Sequence, residues 1–191
     1  MTNIYFIRHA TPDRTKGEDA NFPLTEKGQA DVALVTEFLK DKAINVVLSS
    51  PFKRSYDTVA DFAKTAGLTI ETIHDFRERA IRGDQRWIDN FESYTRQQWA
   101  DFSYKLPDGE CLAEVQTRNI AALEDVLTRY SGKNIAVGTH GTALSTIINH
   151  YDPTYGIEDF LAMAWIMPWV AKLTFDGSNC IAIEKIDLFA R

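Results

Sequence analysis

Two arginines and two histidines come directly or shortly after short apolar segments of the chain. The segments are residues 4–7, 46–48 and 135–137, and the side chains that follow them are Arg8, His9, Arg54 and His140. If the segments are parallel neighbours in one sheet, these side chains meet at its carboxyl edge, where open α/β sheets bind ligands. Arginine offers a planar fork of donors that fits phosphate oxygens. The sequence therefore predicts an anion site that suits a phosphate group.

Each of these signals has an ordinary structural explanation when it is taken alone. Ser50-Pro51 is typical of a helix start, with serine as the N-cap and proline at the first helical position. His140, which precedes Gly141, could simply satisfy a loop. The Arg8-His9 pair could occur by chance. The coincidence of all three signals at strand ends favours the anion site.

The elements that must position these side chains alternate along the chain. Strand-like runs at 4–7, 46–48, 69–73 and 135–137 alternate with amphipathic stretches, which is typical of an α/β fold with a mostly parallel sheet. Helices are predicted after Thr25, after Ser50, over about 110–130 and over 142–150, and residues 170–186 predict a final hairpin. Since no linker or repeat interrupts the pattern, we expect residues 1–191 to form a single three-layer α/β/α domain.

Composition argues against several classes of protein. The 191 residues carry 21 Lys and Arg against 27 Asp and Glu, and the net charge of −6 disfavours a nucleic-acid surface. The longest apolar run, 160–171, is shorter than the roughly 20 residues of a membrane helix. The two distant cysteines favour neither a disulfide scaffold nor a zinc site, and the N-terminal residues lack a signal-peptide core. We therefore expect a cytoplasmic protein without nucleic-acid or membrane partners; no pattern indicates an oligomeric state.

Six short motifs carry a resemblance to a known family. They are Arg-His at 8–9, Leu-Thr-x-x-Gly at 24–28, Ser-Ser-Pro-x-x-Arg at 49–54, Arg-Glu-Arg at 77–79, Asp-Gly-Glu at 108–110 and Gly-Thr-His-Gly at 138–141. In this order and spacing, they resemble the histidine phosphatase superfamily, in the branch of cofactor-dependent phosphoglycerate mutases and small-molecule phosphatases.

The resemblance implies a phosphoglycerate mutase-like fold and assigns a role to each group. His9 would be the nucleophile that forms a phosphohistidine, and Arg8, Arg54 and His140 would hold the phosphoryl oxygens, His140 best as the cation. Glu78 would be the general acid and then the general base. The tentative substrate contacts are Thr11, Thr15 and Gly141. This chemistry implies no metal and no cofactor, because the cationic side chains neutralise the phosphoryl group.

Two carboxylates also have an ordinary interpretation. Without the resemblance, Glu78 reads as a surface residue paired with Arg77 or Arg82. Glu114 and Arg118 are four residues apart on a predicted helix, so we expect them to form a surface ion pair.

Several positions depart from the family's pattern. Ala10 replaces the signature glycine, Cys111 stands where serine is usual, and Thr15 stands where mutases tend to carry asparagine. Ser55 and Asp57 replace an alanine and a glutamine. If Asp57 faces the pocket, its charge would weaken the binding of multiply anionic substrates.

Three functions are compatible with these motifs. The first is a phosphomonoesterase acting on small phosphorylated metabolites. The second is a phosphoglycerate mutase, disfavoured by Thr15 and by the short chain after the hairpin, since a mutase must shield phosphohistidine from water. The third is a non-catalytic phosphoprotein-binding or regulatory module, for which the acid Glu78 would have no use. The aromatic segment at about 83–107 predicts helix plus loop that caps the pocket.

Overall fold

The strands that carry the predicted clusters lie side by side in one sheet. The computed structural model describes residues 1–83 and 88–190. The strands are β1 Thr2–Arg8, β2 Val46–Ser49, β3 Ile70–Thr72, β4 Asn134–Thr139, β5 Trp169–Asp176 and β6 Asn179–Ile186. Their order is β3-β2-β4-β1-β5-β6, in which β1 to β4 are parallel and β5 is antiparallel to both its neighbours. The predicted mostly parallel sheet and the final hairpin are thereby confirmed.

The helices cover both faces of this sheet, because neighbouring residues of a strand point to opposite sides. Tyr5 and Ile7 pack against the first two helices on one face, and Ile4 and Phe6 belong to the core on the other face, with the last three helices. The α-helices of the described part of the chain are α1 Glu26–Leu39, α2 Lys53–Ala66, α3 Phe91–Ala100, α4 Leu112–Arg129, α5 Gly141–Tyr151 and α6 Ile157–Met163. The α/β/α layering is therefore confirmed. In the described residues no helix combines the length and apolar character that crossing a membrane requires.

The start of α2 differs from the prediction. The helix begins at Lys53 with Phe52 at the N-cap, two residues later than Ser50 and Pro51 would place it. The Ser50 hydroxyl accepts the Phe52 amide at 3.2 Å and lies 2.8 Å from His140 Nε2. Ser50 therefore forms the turn into the helix and contacts the predicted site instead of capping the first helical turn.

Glu114 does not pair with Arg118, so this prediction is wrong. The Glu114 carboxylate accepts the Cys111 amide at 2.9 Å at the start of α4 and pairs with Lys105. Arg118 instead reaches Glu110, with Nε 2.8 Å from Oε1. A partner from the loop before the helix thus replaces the i,i+4 neighbour, while Glu114 is held at the helix N-terminus.

The predicted helix-plus-loop segment contains α3. Gln98 of this helix donates to the carbonyls of Tyr104 and Glu110 at 2.9 and 3.0 Å, and the Trp99 ring lies 6.1 Å from the Phe160 ring of α6. Arg79 also donates to Gln98 Oε1, so α3 lies beside the loop that carries Glu78. Residues 84–87 of the segment lie outside the described residues, and its role as a cap stays a prediction.

Candidate active site

The carboxyl ends of β1, β4 and β2 are level, and they bring the four predicted cationic groups together. Arg8 lies opposite Thr139, and Ser49 lies opposite Gly138. The side chains that meet at this edge are all buried: Arg8, His9, Arg54 and His140. The rings of the two histidines are 5.3 Å apart, and Arg54 Nε lies 3.2 Å from His9 Nε2.

His9 has one tautomer that fits its surroundings. Its Nδ1 lies 2.8 Å from the Ala10 carbonyl, which can only accept, so Nδ1 carries the proton. Its Nε2 then carries the lone pair and accepts from Arg54. Burial, with the charges of Arg54 and Arg8, holds the pKa of His9 well below its usual value. His9 is therefore neutral, with its free electron pair on the side of Arg54.

His140 lies in a similar environment, and its role as a cation toward a phosphoryl group stays a prediction. Burial and the positive charge of Arg54 lower its pKa well below the usual value. The fully buried Ser50 hydroxyl accepts from Phe52 and has His140 Nε2 as the acceptor for its own proton, at 2.8 Å. The remaining proton of His140 is then on Nδ1, which is buried without a hydrogen-bond partner among the described residues.

Arg8 is oriented by the chain around the end of α6. Its Nη1 donates to the Met163 carbonyl at 2.6 Å and to the Ile166 carbonyl at 3.2 Å. Its buried Nε has no hydrogen-bond partner among the described residues. Burial lowers the pKa of Arg8 to about 10, so the guanidinium is still charged at neutral pH. One side of the fork is thus anchored to backbone.

Arg54 stands in the first turn of α2 and is held by the loop before α1. Its Nη1 donates to the Asp19 carbonyl and lies 3.1 Å from the Asp19 carboxylate. The guanidinium carbon lies 5.0 Å from the centre of the Phe52 ring and 5.8 Å from that of Phe22. An ion pair and two aromatic faces therefore position the donor that reaches His9.

Glu78 lies at the amino end of α5, beside His140. Its Oε2 accepts the Thr142 amide at 3.0 Å, and its Oε1 accepts the amides of Ala143 and Arg79 at 3.1 and 2.8 Å. A carboxylate is favoured at a helix N-terminus, where amides are free and the dipole is positive. The surface interpretation of Glu78 is therefore wrong, since its carboxylate is held at the edge of the cationic cluster.

The tentative substrate contacts have separate surroundings. The Thr11 carbonyl accepts the Thr25 amide at 3.0 Å, and Thr15 Oγ1 donates to Asp13 at 2.5 Å in an exposed loop. Gly141 is buried against the Arg8 guanidinium. Of the three, Gly141 adjoins the cluster directly, and a substrate role for each stays a prediction.

The departures from the family's pattern have physical explanations. The Ala10 methyl is buried with Leu24 and Val32, and its amide donates to Thr58 at 2.9 Å. Asp57 pairs with Lys53 at 2.7 Å on the exposed side of α2. The anticipated weakening of anion binding by Asp57 therefore has no basis in its position.

The groups that orient Arg8 were not found from the sequence. Met163 and Ile166 hold Arg8 through carbonyl oxygens, which any residue type supplies, and Met163 Sδ also lies 3.5 Å from Arg8 Nη1. The described residues contain no group of three or more His, Cys, Asp or Glu side chains that could hold a metal ion.

We expect Gly141→Ala to lower the catalytic rate about tenfold or more. A Cβ at this position would lie 3.2 Å from Arg8 Nε and 3.4 Å from its Cζ, so the guanidinium must move. A small displacement of a preorganised donor is costly to catalysis. Gly156→Ala is the control, because its Cβ would lie 3.9 Å from its nearest neighbour, the Thr154 carbonyl oxygen. Equal rates for the two variants would contradict this explanation.

We expect the protein to lose stability as the pH falls below about 6.5, because His9 and His140 are neutral when folded and take up protons when unfolded. The pKa values of both histidines are lower in the folded protein than in the unfolded chain. Their contribution to the free energy of unfolding is therefore fully present above the pKa of the unfolded chain and declines below it. At pH 5 the loss is at most about 2 kcal/mol per histidine. Urea unfolding at pH 7.5 and 5 measures it.

The double variant His9→Gln with His140→Gln should reduce this pH dependence. The same change at the exposed His74 and His150 serves as the control and should leave it unchanged. If the double variant of His9 and His140 loses as much stability between pH 7.5 and 5 as wild type does, other groups cause the pH dependence.

Sequence comparisons identify the family of the chain. The family model of the histidine phosphatase superfamily (branch 1) matches residues 4–183, and the chain belongs to this family. It is 28% identical over 160 residues to a probable phosphoglycerate mutase, GpmB, of Yersinia pestis (strain Pestoides F). The match covers 78% of this chain and 74% of that protein.

Solved structures share the fold. Bacillus stearothermophilus YhfR has a TM-score of 0.79 at 21% identity and covers 95% of both chains. A mycobacterial glucosyl-3-phosphoglycerate phosphatase has a TM-score of 0.75 at 16% identity and covers 96% of both chains.

Proposed function

We propose that this protein is a phosphomonoesterase that hydrolyses small phosphorylated metabolites through a phosphohistidine on His9. The observation that carries the proposal is the tautomer of His9. Its Nδ1 proton is committed to the Ala10 carbonyl, which leaves the Nε2 lone pair beside Arg54. A neutral imidazole with a fixed lone pair is what attack on phosphorus requires.

In the first step, the Nε2 lone pair forms a bond to phosphorus and the bond between phosphorus and the leaving oxygen breaks. Glu78 enters this step as the carboxylic acid and gives its proton to that oxygen, so an alcohol leaves and Glu78 becomes the carboxylate. Arg54 exchanges its hydrogen bond with Nε2 for one with a phosphoryl oxygen. Arg8 Nε and His140 Nδ1, both buried without a partner among the described residues, supply further donors.

In the second step, a water oxygen attacks the phosphohistidine and gives its proton to the Glu78 carboxylate. The bond between phosphorus and Nε2 breaks, its electron pair returns to the ring, and inorganic phosphate leaves. One carboxylate thus serves as acid and then as base. The proposal includes no metal or cofactor, since Arg8 and Arg54 carry the compensating charge. It also includes no nucleic-acid or membrane partner, and it places the enzyme in the cytoplasm.

A phosphoglycerate mutase is the second candidate, because one relative is named a probable phosphoglycerate mutase. A mutase must keep water from phosphohistidine until the intermediate returns the phosphoryl group. The loop at 14–18 is exposed, and Thr15 within it is hydrogen-bonded to Asp13. An exposed loop shields phosphohistidine from water poorly, which favours hydrolysis over transfer back to an intermediate.

A panel of phosphorylated metabolites, assayed for released phosphate with and without EDTA, tests the proposal. We expect release that EDTA does not diminish. With 3-phosphoglycerate, and 2,3-bisphosphoglycerate as primer, we expect negligible isomerisation. Rapid formation of 2-phosphoglycerate would favour the mutase, and EDTA-sensitive activity restored by magnesium or zinc would contradict the mechanism. If no member of the panel releases phosphate, the phosphatase proposal fails.

A further inference from the structure

Arg118, in the second turn of α4, uses all five of its donors around the segment that carries Glu78. Its Nη1 donates to the carbonyls of Asp75 and Arg77 at 2.7 and 2.9 Å, and its Nη2 donates to that of Glu78 at 3.2 Å. Its Nε and Nη2 also donate to the two oxygens of Glu110, at 2.8 and 3.0 Å. A fully satisfied, half-buried guanidinium therefore holds the backbone at Glu78 and before it.

Glu110 extends this contact to the backbone on the other side of Glu78. Its Oε2 accepts the Ala80 amide at 2.9 Å, and its own amide donates to the Ala80 carbonyl at 2.8 Å. Gly109 permits the approach, because a Cβ there would lie 2.3 Å from the Ile81 carbonyl oxygen. Arg118 and Glu110 together bracket Glu78 in the chain.

The contacts of Arg118 and Glu110 on both sides of Glu78 matter because no regular secondary structure holds this segment. A short 3₁₀ turn ends at Phe76, and residues 77–83 belong to no helix or strand. The Glu78 carboxylate must nevertheless lie at the amides of Thr142 and Ala143, at the edge of the cationic cluster. A misplacement of about 1 Å in such a group can cost about 10²-fold in rate.

We propose that Arg118 is a positioning residue for Glu78, acting through the backbone carbonyls around it with Glu110 as its anchor. This inference rests on the proposed function, in which Glu78 transfers protons. A lysine cannot replace this arginine, because an ammonium has three donors at one point and no planar fork. Arg118→Lys keeps the positive charge but loses the simultaneous hydrogen bonds to the backbone carbonyls and to Glu110.

The kinetic test compares two leaving groups. An alkyl phosphate leaves as a basic alkoxide and needs the proton, whereas a nitrophenyl phosphate needs it less. We expect Arg118→Lys to lower kcat/KM about 10²-fold for the alkyl phosphate and much less for the nitrophenyl ester. In the Glu78→Gln background the same change should cost less than about threefold, because both changes act through one carboxylate.

The matched control is Arg129→Lys, on the same helix. Arg129 also pairs with carboxylates, Asp125 at 2.7 Å and Glu71 at 2.8 Å, but neither belongs to the Glu78 segment. We expect its rates to match wild type. Glu110→Gln is a second variant, which keeps the size of the side chain and should show the same leaving-group pattern if Arg118→Lys does not fold.

Amide hydrogen exchange provides a readout that does not depend on activity. In folded Arg118→Lys, we expect the amides of Thr142 and Ala143 to exchange about tenfold faster or more, while that of Ile147 in the same helix is unchanged. Unchanged exchange at the first two amides would overturn the inference. So would equal kinetic losses on both substrates, or a full loss in the Glu78→Gln background.

These outcomes separate the inference from the proposed function. A wild-type protein without phosphatase activity would contradict the proposed function. A lack of any effect of Glu78→Gln on the alkyl phosphate would contradict the role of Glu78. In both cases amide exchange still decides whether Arg118 positions Glu78.

Discussion

His9→Ala is expected to lower the rate of phosphate release by at least about 10⁴-fold, since removal of a nucleophile costs catalysis more than removal of a supporting donor. The ring has a fixed lone pair at the level carboxyl ends of three strands. Steady-state release from a nitrophenyl ester measures the loss, because this good leaving group keeps the step at Glu78 from limiting the rate.

His74→Ala is the matched control, because His74 is an exposed histidine that contacts Arg77. We expect it to keep the wild-type rate. The thermal unfolding midpoint of His9→Ala, measured at pH 7.5, should show a folded protein, so that lost activity reflects lost chemistry. Activity of His9→Ala within about tenfold of wild type would require another nucleophile.

Arg54→Met is expected to lower kcat/KM by about 10²- to 10³-fold, the usual cost of one donor in a preorganised site. It should also move the acid limb of the pH profile of kcat/KM to higher pH. Arg54 contributes to the lowered pKa of His9, so its removal raises that pKa and keeps His9 protonated over a wider range. A profile of kcat/KM measured from pH 4.5 to 8 with one substrate reads both effects.

Lys53→Met is the control for Arg54. It removes one positive charge from the preceding residue, where Lys53 pairs with Asp57 in a partly exposed position. Exposed pairs contribute little, so both the rate and the acid limb should stay at wild-type values. If Arg54→Met loses rate but leaves the limb in place, Arg54 binds phosphate without controlling the protonation of His9.

The positions of the cationic groups could be predicted because they follow from strand order and direction. Short apolar runs alternating with amphipathic stretches predict parallel strands, and parallel strands end at one edge. Arg8, His9 and His140 come directly after such runs, so their meeting requires little tertiary detail. Predicting the position of Arg54 also requires that a helix begin shortly after β2.

The supporting contacts could not be predicted, because they use groups that carry no residue signature. The carbonyls that hold Arg8 belong to Met163 and Ile166, at and just after the end of α6, within the apolar run 160–171. Arg118 pairs with Glu110 and not with Glu114, its neighbour on the helix. Spacing rules along a helix predict only partners within that helix.

The charge of His140 could not be predicted from the sequence for a different reason. Its residue type and its place in the pattern are compatible with a cation, but complete burial beside Arg54 and His9 opposes a further positive charge. The direction of the Ser50 hydrogen bond, which fixes its tautomer, depends on the Phe52 amide. Such details follow from the packed structure alone.

The central claim is the covalent intermediate on His9, and trapping it is the most direct test. Radioactive nitrophenyl phosphate, mixed rapidly with enzyme and quenched in alkali, should label the protein with acid-labile, alkali-stable phosphate. Glu78→Gln should accumulate more label, because activation of water is slowed. After digestion, the label should lie on the peptide that contains His9 and be missing from His9→Ala. Acid-stable label, label on another peptide, or equal labelling of His9→Ala would contradict the mechanism.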